Sequence, residues 1–348
     1  MAAIAITDLS RYDGIIAFEE REAKIVISQH FHLHIVDLEE FRTSFSNLKY
    51  ALKLFEQQNS TQEFHEILDV RMRQLSSNYL RLRPIRSKRG IFNPLGSFIK
   101  SVTGNLDDND LRSIKRTLED SRMKTNMLIE NNQRQIRVND EFQLKINEVV
   151  KHVNDEQVKI LKRISGIVRN LNWNSENRNT LKGIVHDLIF NMDFLNNQLK
   201  DIFESIQLAR IGILPKAILS NTETKFAIEK LEEQNVTISN SDQIYEFINV
   251  ETHHEKSKII FIVKIPIFLP GLFKYIKFET IPKESKIIAT PFNVAIVSRE
   301  LSFATDRECL IVEQYRICRR QELTNVTGDG CIHNALRGDN ASCPYTNQ

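Results

Sequence analysis

The chain has 348 residues, 41% hydrophobic and 26% charged, enough to bury a sizeable core and build two or three substructures. A formal net charge of only +2 removes the basic footprint of a nucleic-acid binder, so no nucleic-acid partner is expected. Eleven glycines and eight prolines are few for this length and favour long helices. No run reaches the roughly 18 apolar residues of a membrane span. The nearest, KIIFIVKIPIFLPGLF at 258–273, is broken by Lys264, Pro266 and Pro270 and reads as buried strands. The start, MAAIAITDLSRYDG, lacks the basic n-region and long apolar core of a secretory signal. Neither a signal peptide nor a transmembrane anchor is expected in this chain.

In chain order, KIVISQHFHLHIV at 24–36 alternates as a strand, with His30, His32 and His34 on one face and Phe31 and Leu33 on the other. Asp37 caps a helix carrying Phe41, Phe45, Leu48, Leu52 and Phe55. A second helix starts near Thr61, carries Phe64, Leu68, Leu75 and Tyr79, and stops at Pro84. The basic run Arg86-Ser87-Lys88-Arg89 follows, then Gly90 and an apolar stretch with Ile91, Phe92, Leu95, Phe98, Ile99 and Val102 near a helical repeat. From Asp107 to Leu171 there is no proline and one glycine, Gly166, which predicts one very long helix. Its seam is Val150, Val153, Ile160, Ile164, Ile167 and Leu171, with Gln157 the polar intruder. Upstream, Ile129, Ile136 and Ile146 alternate with Thr125, Asn132 and Asn139, the pattern of a coiled coil with polar layers. An ordinary helical bundle is the alternative reading of the same spacing.

WNSENRNT at 173–180 is a polar break. A second heptad run then places Leu181, Ile184 or Val185, Leu188, Met192, Leu195, Leu199, Ile202 and Ile206 on one stripe, ending at Gly212 and Pro215. Beyond about residue 236 the segments KIIFIVKIPIF, YIKFETI, SKIIATPF and NVAIVS are β-like. The fold class expected is α+β: a small N-terminal α/β region, a long coiled-coil helical stalk, a β-rich module and a cysteine-rich tail. The boundaries expected are 1–89, 90–106, 107–215, 216–308 and 309–348.

All four cysteines, Cys309, Cys318, Cys331 and Cys343, lie in the last 40 residues, as a local disulfide framework would. Zinc is the rival reading, but no C-x-x-C pair exists and the gaps are long. Four glycosylation sequons stand at Asn59, Asn235, Asn325 and Asn340. There is no phosphate-binding glycine loop, zinc-protease helix or nucleophile elbow, so neither an enzyme nor a cofactor is expected. The histidine row lacks the closing ligands of a metal site. A solvated strand face is its simplest reading, and pH sensing between about pH 5 and 8 the alternative. His253 and His254, flanked by Glu251 and Glu255, carry the same two readings.

R-x-K-R before glycine is the recognition pattern of furin-type convertases. An apolar Gly/Phe/Ile/Leu segment and heptads directly after it make the layout of a class I fusion protein. RSKRGIFNPLGSFIKSVTGNLD at 86–107 resembles the cleavage site and fusion peptide of insect errantivirus (gypsy-like) envelope proteins and baculovirus F proteins, and LKDIFESIQLARIGILPKAIL at 199–219 resembles a helix end in the same family. The resemblance implies a homotrimeric glycoprotein on a virion envelope or cell surface, cut after Arg89 by a furin-like host protease, with 1–89 as a receptor-side fragment. It further implies insertion of Gly90–Asn105 into a target lipid membrane, and an unidentified host receptor. No cysteine precedes Arg89, so the two fragments are expected to stay together non-covalently. Without an anchor, the chain as given is expected to be fusion-incompetent. The alternative is a host-retained, non-fusogenic protein that interferes with receptors or related envelopes, and a cytosolic coiled-coil scaffold is the third reading.

Overall fold

A computed structural model of the chain describes residues 15–56, 62–82, 127–131, 134–139, 141–169, 175–255, 257–282, 286–337 and 343–347. The chain forms two compact units that interleave along the sequence. One takes residues 1–29, 228–247 and 266–348, and the other 30–227 and 248–265. This differs from the five consecutive segments expected, because the strands Ile15–Asp37 and Lys258–Phe268 and the helix Asn221–Glu232 each give residues to both units.

The unit built on 30–227 is mainly helical. β1 (Ile15–Asp37) contains the alternating segment and starts earlier than its pattern predicts. Asp37 Oδ1 accepts the Glu39 amide at 3.0 Å, and α1 (Glu40–Glu56) then buries Phe41, Phe45, Leu48, Ala51 and Phe55 on one stripe. α2 (Gln62–Leu82) buries Leu68, Met72, Leu75, Tyr79 and Leu82.

The next described residues depart from the long-helix expectation. Ile129 and Ile136 lie in a hairpin of β2 (Met127–Asn131) and β3 (Arg134–Asn139), directly opposite each other. A seven-residue interval fits a helix seam, but it also fits two strands folded back on each other. Pairing decides: β3 gains a second, parallel ladder with β1, from Phe31 opposite Ile136 to His34 opposite Asn139. Asn139 is a cap and not a seam layer, since its Oδ1 accepts the Glu141 amide at 2.8 Å where α3 (Glu141–Arg169) begins.

In α3, Val150, Val153, Ile160 and Ile164 are buried within this one chain, and the helix packs on α1 and on α4 (Ser175–Arg210). The side chain of Ile167 and all of Leu171 lie outside the described residues. Gln157 is buried too, and its Nε2 donates to the Ser44 carbonyl of α1 at 3.4 Å. The polar intruder therefore has a partner. Helix α4 already runs at Ser175, so most of the polar stretch 173–180 is its first turns. Its buried stripe is Leu181, Ile184, Val185, Leu188, Met192, Leu195, Leu199, Ile202 and Ile206. Each such side chain contributes about 1.5–3 kcal/mol relative to exposure. Helix α4 ends where Gly212, at φ 77°, lets the Gly212 and Ile213 amides donate back to the Ala209 and Leu208 carbonyls at 3.1 and 3.0 Å. Helix α5 (Asn221–Glu232) lies near the start of the segment 216–308, ahead of the β-like stretch expected beyond about residue 236. β4 (Asn249–Glu255) pairs antiparallel with β5 (Lys258–Phe268).

The other unit is a sheet. The first half of β1 pairs antiparallel with β6 (Phe273–Thr280), which pairs with β8 (Val294–Val297), then β9 (Ser302–Thr305) and β12 (Thr324–Asn325). β7 (Lys286–Ile288) pairs with β13 (Tyr345–Asn347). On the other side of β1, β11 (Tyr315–Arg319) runs parallel to it and carries β10 (Leu310–Val312) as an edge. Cys309 and Cys318 share a core with Ala23, Ile25, Phe273, Tyr275, Val294, Ile296 and Phe303. Val326, Cys331 and Ile332 join a second core with Phe278, Ala295 and Ala304, so the described residues of 309–348 belong to this sheet's core and not to a separate tail.

Candidate functional site

The cleavage residues Arg86, Lys88, Arg89 and Gly90 and the membrane-inserting residues Ile91, Phe92, Leu95, Phe98, Ile99 and Val102 lie outside the described residues, as do Asn59 and Asn340. Of the sequon asparagines that are described, Asn235 is exposed at the left-handed cap of α5, with φ 57°, and Asn325 is exposed on β12. The structure pairs Cys309 with Cys318 and Cys331 with Cys343. Each bond closes a short loop, and the choice among connectivities could not be read from the spacing.

The most developed polar constellation in the helical unit is one that sequence spacing only half showed. His30, His32 and His34 do project from one face of β1, but all three are buried, His32 and His34 at 0% exposure. Phe31 and Leu33 on the opposite face are buried as well, so β1 is covered on both sides and the solvated-face reading fails here. The partner is Glu223 of α5, itself 1% exposed. His32 Nδ1 and His34 Nε2 each lie 3.2 Å from Glu223 Oε1. The ring of Phe226, one turn on, lies against His32 with centroids 5.1 Å apart, and the Arg137 guanidinium of β3 sits over that same ring at 4.8 Å.

Glu223 is held from behind by its own helix. Ser220 is the N-cap: its amide and Oγ both donate to Glu223 Oε2, at 3.0 and 3.2 Å, while the Glu223 amide donates to Ser220 Oγ at 3.3 Å. That reciprocal arrangement is a capping box, and S-N-T-E at 220–223 is its sequence signature. The signal is therefore present in the sequence, ahead of the β-like stretch that begins near residue 236. One carboxylate oxygen fastens the helix start, and the other faces the histidines. Burial pushes the Glu223 carboxyl up, but the contacts with His32 and His34, and Asn139, outweigh it and hold the group far below the usual carboxylate range. Burial holds the His32 imidazole below its ordinary value, with His34 and Arg137 acting the same way against Glu223. Glu223 is thus held as the carboxylate, and His32 Nδ1 is placed to donate to it. Among the described residues no group of histidine, cysteine and carboxylate side chains could hold a metal ion.

The second histidine pair is placed differently. His253 and His254 lie on β4, half-buried, and burial together with Arg210 and His253 holds His254 below its ordinary value. No helix among the described residues is long and apolar enough to cross a membrane.

A family model described as Gypsy protein matches residues 4–348. The chain belongs to the Gypsy protein family. Membership agrees with the resemblance to gypsy-like envelope proteins carried by 86–107 and 199–219. Curated relatives of this Gypsy chain include the retrovirus-related Env polyprotein from transposon 297 of Drosophila melanogaster, 23% identical over 272 residues, covering 76% of this chain and 46% of that protein. A second is the retrovirus-related Env polyprotein from copia-like transposable element 17.6 of the same species, 23% identical over 273 residues, with 76% and 48% covered. The chain spans about half the length of the curated relatives it matches.

Proposed function

We propose that this Gypsy-family chain is an ectodomain portion of a class I-like envelope fusion glycoprotein, made in the secretory pathway and activated by cleavage after Arg89. The observation that carries the reading is the family match across 4–348 together with two Env polyprotein relatives. Two disulfides and two exposed sequon asparagines support an oxidising, extracellular setting. No enzymatic step enters this account. Its partners are a furin-like host protease, a target lipid membrane and a host receptor.

Cleavage frees Gly90 at the head of an apolar segment, and Ile91, Phe92, Leu95, Phe98, Ile99 and Val102 form its lipid face. Burying that face is worth about 25 cal/mol per Å² of apolar surface, and a segment of this length lies in the interface without spanning. A synthetic 90–105 peptide is expected to partition onto liposomes, and a peptide with Phe92→Asp and Phe98→Asp to stay in solution. Equal partitioning of the two would refute membrane insertion.

A trimeric coiled-coil stalk belongs to the same proposal, as a rearranged state. Val150, Val153, Ile160 and Ile164 are occupied inside one chain here, so a trimer seam reuses them after repacking. β-branched residues at both core positions disfavour a two-stranded coil. In that state Ile129 and Ile136 leave their hairpin and extend α3 upstream. Sedimentation of the processed protein tests this directly: three chains are expected, and a monomer refutes the trimer.

A further inference from the structure

We propose that His32 and Glu223, with His34 packed beside them, form a proton-operated latch that holds β3 and the start of α5 on β1 near neutral pH and releases them when His32 is protonated. An ionised Glu223 only accepts, so the proton of His32 sits on Nδ1, facing Oε1 at 3.2 Å. A second proton on that ring goes to Nε2. His32 Nε2 is buried with no hydrogen-bond partner, and so are both ring nitrogens of His34, whose Nε2 lies 3.2 Å from Oε1 without hydrogen-bond geometry. Protonation therefore creates a buried donor with nothing to receive it.

Charge around the site acts in the same direction. β1 itself contributes His30 beside the pair. β3 contributes Arg137, a fixed cation over the Phe226 ring that His32 also touches. The charged groups of β5 within this unit are Lys258 and Lys264, and Lys264 is taken up by Glu251 at 2.5 Å. The part of α5 in this unit brings Glu223, whose second oxygen is already committed to Ser220, and the cation Lys225. A protonated His32 and Arg137 would share the Glu223 carboxylate. The β1–β3 register sets His32 opposite Arg137 and His34 opposite Asn139, so repulsion acts across the ladder that fixes β3. Asn139 caps α3, which carries any loosening of β3 to the start of that helix.

The sign follows from linkage. A histidine whose folded-state value lies below the ordinary 6.5 stabilises the fold fully above about that pH. The contribution is lost as pH falls through and below it. Glu223, also depressed, loses its own contribution only lower, below its ordinary 4.5. The first release is therefore histidine-driven. The latch is a property of the fold, and it stands whether or not the chain fuses membranes.

Hydrogen exchange of the full chain, corrected for intrinsic rates, tests it at pH 7.5 and 5.5. Protection at 134–139 and 220–232 is expected to fall by about tenfold per pH unit for each proton taken up. In the His32→Gln, His34→Gln double variant, which keeps a donor towards Glu223 but cannot titrate, it is expected to stay flat. His254→Gln serves as the control and should keep the wild-type fall. The same fall in the double variant, or no fall in the wild type, overturns the proposal. If the double variant does not fold, side-chain nuclear magnetic resonance of labelled histidine in the wild type decides. A His32 ring that titrates near 6.5 while 134–139 stays protected overturns it, and one that takes up its proton only as protection is lost supports it.

Discussion

Replacing Arg89 by alanine leaves the precursor as one chain in cells whose convertase cuts the wild type into two. The reason lies in what a basic-site protease can read. Arg86, Lys88 and Arg89 present three cations within four residues, and Gly90 removes side-chain bulk after the scissile bond. A guanidinium makes a bidentate fork onto carboxylates that alanine cannot replace. Charged hydrogen bonds are worth about 1.5–3 kcal/mol each, so losing two of them slows cutting by roughly 10²- to 10⁴-fold. The fold itself should be indifferent to the change, with secretion and disulfide content unaltered. Two fragments of unchanged size from the variant would remove Arg89 from the processing site.

Glu223→Ala should be among the most destabilising single substitutions in the helical unit at neutral pH. It removes the capping box with Ser220, worth about 0.5–2 kcal/mol. It also leaves His32 buried without its acceptor, at about 1–3 kcal/mol more. A loss of about 2–4 kcal/mol is expected in urea unfolding of the full chain. Glu223→Gln should cost less, because glutamine also serves in a capping box and gives up mainly the ionised contact with the histidines. The ordering of alanine below glutamine separates this account from a simple cavity. A change within about 0.5 kcal/mol for the alanine variant, as at an exposed site, would contradict the geometry at 3.2 Å.

How much was legible depended on whether a local signal had a competitor. The stripes of α1, α2, α3 and α4 were plain in the 3- and 4-residue spacing, because burial of one face is what that spacing encodes. Spacing does not say what covers the stripe. Val150, Val153, Ile160 and Ile164 meet α1 and α4 of their own chain, and no heptad count distinguishes that from a partner chain. The hairpin at 127–139 was not legible, since Ile129 and Ile136 suit both structures and the deciding ladder comes from β1, a hundred residues earlier. The histidine row is legible but its burial is not, because alternation with Phe31 and Leu33 marks the other face as the inner one. Glu223 was missed for a different reason. Its capping signature was in the sequence, but its role needs contact between residues 191 apart.

The most direct test of cleavage-activated fusion is a cell–cell content-mixing assay. It uses an envelope precursor that carries this chain with the flanking sequence of its own gene, displayed on the surface and co-expressed with a convertase. The account predicts mixing for the wild type and none for either Arg89→Ala or the Phe92→Asp, Phe98→Asp pair at equal surface levels. A wild-type protein that is displayed and cut but mixes no contents between pH 7.5 and 5, or an Arg89→Ala protein that mixes them as well uncut, would contradict it.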